Sequence, residues 1–138
     1  MTHPDKGQSG SSAVELVLMV PVMMTLVLSV VAGGRYVDSR GQVNDAAYAA
    51  ARAASLETTI EAGQAAGRDA AAAALAERGK ACVDLDVSFA GTNFQPGGHI
   101  ETTVTCRADL RDVMGFGIPG SKSFTTHAVV PIEKYRNP

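Results

Sequence analysis

Leu16 to Gly34, LVLMVPVMMTLVLSVVAGG, is a run of nineteen residues without a charge. As a helix it would be roughly 28 Å long, at about 1.5 Å per residue. The hydrocarbon core of a bilayer is about 30 Å thick. The run therefore reads as a membrane span, with a secretory signal as the competing reading. In the second case Lys6 is the weak basic start, and Val30-Val31-Ala32 offers small residues before a cut at Gly33. The run is long for a signal, and Glu15 at its mouth is unusual there. Flanking charge does not orient it: Asp5 and Lys6 precede the run, while Arg35 and Arg40 follow it.

Outside this run, about a hundred residues build only a thin core, so a covalent staple is expected. Residues 1–10 are polar and read as a tail. Ser12 stands three residues before Glu15, which fits a capping box at the start of the long helix. After the run, Tyr36, Val43, Ala47, Ala50 and Ala54 mark one face of a helical continuation over 35–57. Gly33, Gly34 and Gly41 predict a bend or hinge at the joint. Thr58 and Glu61 form a second capping-box pattern, predicting a helix from about Thr59 to Arg78, with Gly79 at its C-terminal cap.

The pattern then switches to alternation. Val83, Leu85, Val87 and Phe89 share one face of a first strand. A turn-rich stretch from Ala90 to Gly98 leads to a second strand, His99 to Leu110. A third runs from Phe124 to Ile132. The expected fold is α+β: a long N-terminal transmembrane helix, a second helix, and a three-stranded antiparallel sheet with one disulfide. Folding the first two strands about Phe94 sets Cys82 opposite Cys106, within reach of a bridge. The same register sets Leu85 opposite Thr103, so the apolar faces miss each other unless a bulge shifts them. Two buried free thiols are the other possibility. A bridge would place this part of the chain in an oxidising compartment.

Several chemistries find little support. Net charge is -2, with no basic block and no Trp, which argues against nucleic acid as a partner. Gly115-Phe116-Gly117-Ile118-Pro119-Gly120 fits G-x-G-x-x-G, but a strand follows where that motif needs a helix, so it reads as a connecting loop. His99, Glu101 and His127 could form a small metal or acid–base site, yet they read better as solvent-facing residues on strands. Two lone cysteines lack metal-ligand spacing. No catalytic residue, metal or cofactor is expected, and the chain reads as a non-enzyme.

Ser9-Gly10-Ser11-Ser12-Ala13-Val14-Glu15 resembles a prepilin-peptidase site: a Gly closing the leader, a small new first residue, and Glu as the fifth residue of the mature chain. With Leu16 and then Pro21 inside the apolar run, it resembles the TadE-like pseudopilins of tight-adherence (Flp) pilus systems. The resemblance covers about residues 7–36. It implies cleavage between Gly10 and Ser11 and an assembly or recognition role for Glu15; the kink expected at Pro21 follows instead from its missing N–H, which leaves the Val17 carbonyl without its helical partner. The resemblance also implies a prepilin peptidase and other pilin-like subunits or assembly proteins as partners. The membrane would hold residues 11–34, with the N-terminus cytoplasmic. Residues 35–57 would extend the helix, and 58–138 would form a small extracytoplasmic domain. The alternative is a signal-anchored or secreted binding module that uses the Ala90–Gly98 loop.

Overall fold

The computed structural model of the protein describes residues 9–79, 82–114, 117 and 119–135. The first helix, α1, runs Ser9–Leu56, and Gly33, Gly34 and Gly41 all lie inside it. The chain divides into two compact units, Met1–Gly34 and Arg35–Pro138.

In the first unit, every large apolar side chain from Val14 to Val31 is exposed. A helix that is apolar on all sides needs lipid or other helices around it. It is long and apolar enough to cross a membrane. Two hydroxyls within it are satisfied locally. Thr25 Oγ1 donates to the Pro21 carbonyl at 2.8 Å, and Ser29 Oγ donates to the Thr25 carbonyl at 2.8 Å. Such back-bonding hides polar atoms from an apolar surrounding.

The second unit holds the rest of α1, then α2 (Ile60–Glu77), β1 (Asp84–Ser88), β2 (His99–Asp109), α3 (Leu110–Met114) and β3 (Ser121–Pro131). The sheet order is β1-β2-β3, antiparallel throughout. The core side of α1 carries Val43, Ala46, Ala47, Ala50, Ala51 and Ala54, all buried. This is the expected stripe, completed by Ala46 and Ala51. Tyr36 packs beside it, its ring 5.4 Å from that of Phe124 on β3.

The buried face of α2 is Gly63, Gly67, Ala71 and Leu75, one residue per turn. These small residues let α2 lie directly on the backbone of α1. A Cβ added at Gly67 would stand 3.0 Å from the Ala50 carbonyl oxygen and 2.5 Å from the tip of the Phe89 ring. Alanine improves helix propensity by about 1 kcal/mol, but overpacking a core costs about 1–3 kcal/mol. Gly67→Ala should therefore destabilise the unit. Gly41→Ala, where the new Cβ meets nothing, should stabilise it. Opposite shifts in melting temperature for these two helical glycines check the packing.

Several expectations need correcting. The cap of α2 is Thr59, not Thr58: Thr59 Oγ1 accepts from the Ala62 N–H at 3.3 Å. The long helix starts at Ser9, so Ser12 lies inside it rather than capping it, and no acidic residue falls in the first turn. The capping-box account of Glu15 is thereby lost. Val83 does not share the core face of β1; it precedes the strand and is 72% exposed. The turn α3 between β2 and β3 was not expected.

The hairpin register differs as well. Leu85 stands opposite Cys106 and Val87 opposite Val104, so the apolar faces coincide. The turn is centred on Pro96-Gly97 rather than Phe94. The Gly98 N–H donates to the Gln95 carbonyl at 2.7 Å, and Gly97 has φ +80°. Pro then Gly with positive φ is the type II arrangement. Between the pairs Ser88–Thr103 and Asn93–His99, four residues (89–92) face three (100–102). This is the bulge that brings the faces into line. Cys82 thus lies ahead of β1. The Val83 N–H donates to the Arg107 carbonyl at 2.7 Å and holds the chain against β2. The Cys82–Cys106 disulfide is formed across a Cα–Cα distance of 5.4 Å, well inside the usual range.

Candidate functional site in the N-terminal helix

The Gly10–Ser11 bond lies in the first turn of α1, and Met1–Gln8 fall outside the described residues. Glu15 is exposed and has no partner among the described residues. Its neighbours Val14, Leu16, Val17, Leu18 and Met19 are all more than half exposed. One carboxylate thus stands at the mouth of an otherwise uncharged, fully exposed apolar surface. A charge at the centre of a membrane helix costs about 2.5–3.5 kcal/mol on insertion scales. Near the end of the span the cost is lower, because the group reaches the interface.

Pro21 sits inside α1, about 1.7 turns beyond Glu15. It has no N–H to give the Val17 carbonyl. That carbonyl, left without its helical partner, and the Glu15 carboxylate lie on the same short stretch of the helix.

The polar residues of the sheet form no comparable cluster. His127 Nδ1 lies 2.8 Å from Thr103 Oγ1 as a cross-strand pair, with Thr105 and Thr125 joined beside it at 3.1 Å. His99 is four residues from Thr103 along β2, roughly 13 Å at about 3.3 Å per residue. The structure therefore does not bring His99 and His127 together. His99 and Glu101 do share the face opposite Ile100, as alternation implied. Among the described residues, no group of three His, Cys, Asp or Glu side chains could hold a metal ion. Of the Gly-rich loop, Gly115, Phe116 and Ile118 lie outside the described residues; α3 precedes it and β3 follows.

The Ala90–Gly98 loop is tied down. Thr92 Oγ1 accepts from the Glu101 N–H and donates to the Glu101 carbonyl, each at 3.1 Å. Phe94 is half-buried against the core. Sequence reading missed a trough along the edge of β3 away from β2, lined by Arg40 and His127 among others. Its walls come from distant parts of the chain, so no local pattern announces it.

Neither a curated protein nor a solved structure matches the chain. Residues 10–52 match the family model for TadE-like protein, so the segment bearing Gly10, Ser11, Glu15 and Pro21 is TadE-like.

Proposed function

We propose that the protein is a pilin-like subunit or assembly factor of a tight-adherence pilus, cut by a prepilin peptidase between Gly10 and Ser11, and that it is not an enzyme. The observation that carries this reading is Glu15: a lone exposed carboxylate on a helix apolar all round, inside the TadE-like segment. Cleavage frees a positive amine at Ser11, four residues from Glu15. On a neighbouring subunit that amine is the counter-charge the carboxylate lacks. An apolar bundle slides freely, and a charge pair formed only between packed helices sets its register. The open Val17 carbonyl gives Pro21 its part: a point where the helix bends as it leaves the bilayer and packs.

In this reading the N-terminus stays cytoplasmic and the Arg35–Pro138 unit lies outside. The Cys82–Cys106 bridge supports that orientation, since disulfides persist in oxidising compartments. Glu15→Ala tests the role. Membrane insertion should be unchanged or improved, because a charge is removed. Pilus formation or partner capture should fall sharply, and Glu15→Asp should retain part of it. Failure of insertion itself would contradict the assembly role.

A further inference from the structure

The two edges of the sheet are protected differently. β1 is five residues long, with Asp84 and Asp86 both exposed. Short length and charge are two of the ways proteins keep an edge from pairing. β3 is eleven residues long and pairs with β2 in an unbroken register from Ser121–Asp109 to Pro131–His99. Among the described residues, no strand lies beside its other edge. From Ser123 to Val130 the sequence SFTTHAVV has no Lys, acid, Pro or bulge. The middle of that edge is long and regular, and its charge and its proline, Lys122 and Pro131, stand only at the ends.

A trough follows it. One cavity of about 470 Å³ is lined by Val37, Arg40, Gly41 and Asn44 of α1 and by Thr125, Thr126 and His127 of β3. Three consecutive strand residues point to alternate faces. A wall containing all three is therefore the strand's edge rather than one of its faces. Farther along, a cavity of about 250 Å³ lies between Arg52 and Leu56 of α1 and Pro131 and Glu133. The same helix thus flanks this edge at Thr125, Thr126 and His127 and again at Pro131, where the strand ends. Among the described residues, no acid lines the first cavity with Arg40, whereas Glu133 and Arg52 both line the second.

We propose that this trough receives an extended segment of a partner protein, which adds to β3 as a fourth strand and sets a carboxylate against Arg40. The edge supplies main-chain hydrogen bonds, and the helix wall supplies side-chain selection, as in other strand-addition sites. Val129, 55% exposed, offers a contact for a β-branched residue of the incoming strand. A second copy of β3 fits less well: its sequence carries Lys122 and His127 but no acid for Arg40. The inference stands on the Arg35–Pro138 unit and does not depend on a pilus role.

The test uses the full chain in detergent micelles and a short synthetic peptide alternating valine with threonine and carrying glutamates. Binding is followed by anisotropy of the labelled peptide, and its site by amide hydrogen exchange. The glutamate peptide should bind and slow exchange along Ser123–Val130. Its lysine twin should bind at least tenfold more weakly, and Arg40→Glu should reverse that preference. A twin N-methylated on alternate residues should not bind. The proposal is overturned if β3 exchange is unchanged, or if the methylated twin binds equally well. It is also overturned if β3 protection needs no peptide and follows protein concentration, which would make the edge a contact between two copies.

Discussion

Replacing Cys82 and Cys106 together by alanine is expected to lower the melting temperature of the Arg35–Pro138 unit by roughly 12–24 °C. Two steps give that figure. The bridge spans a sequence separation of 24, and closing a loop of that size is worth about 3 kcal/mol in the chain-entropy model. For a domain near this size, each kcal/mol moves the midpoint by about 4–8 °C. The core offers little to offset the loss, because much of it is alanine and glycine: Ala46, Ala47, Ala50, Ala51 and Ala54 on α1, Gly63, Gly67 and Ala71 on α2. Alanine is the suitable replacement. A serine at Cys106, only 3% exposed, would bury a hydroxyl among apolar neighbours and add a second cost. Thermal melting of the full chain in mild detergent checks this. A reductant should reproduce the shift in the natural protein and leave the double variant unchanged. A shift of a degree or two would mean that packing alone holds the sheet to the helices.

Gly10→Val should have the largest effect of any single substitution on the state of the chain. In the proposed pathway it blocks the peptidase, so the processed form drops below detection while the uncut chain accumulates in the membrane. No amine appears at Ser11, and Glu15 is left without a counter-charge. Assembly should therefore fail to the same degree as in Glu15→Ala. The double variant should be no worse than either single one, because both remove the same pair. Additive losses would place Glu15 in a different interaction. Immunoblots of membrane fractions, with assembly scored in parallel, measure all three.

How much of this was legible in the sequence depended on how local each feature is. The stripe from Tyr36 to Ala54 repeats at three- and four-residue steps with one longer gap, and α1 buries that face from Val43 to Ala54. The pairing of the two cysteines was also legible, though the register that carries it was not. Gln95-Pro96-Gly97-Gly98 and Phe94 offer turn centres only a residue or two apart, and a bulge beyond them changes the register by one more. Alternation alone placed Val83 on the core face; the strand begins one residue later, and Val83 is left in solvent. The single turn α3 is too short to show a period. Gly10, Glu15 and Pro21 lie within one short stretch of the chain, inside the segment that matches the TadE-like model. The β3 trough joins residues about ninety positions apart, such as Arg40 and His127, and only the folded chain brings them together.

The central claim is that the apolar helix is a processed and retained assembly element. The most direct measurement is the intact mass of the protein taken from its native membrane. The account predicts a chain that starts at Ser11, with Glu15 as its fifth residue and the disulfide closed. A chain starting near Gly33 would contradict it, because the helix would then be a discarded export signal and Glu15 would be lost with it.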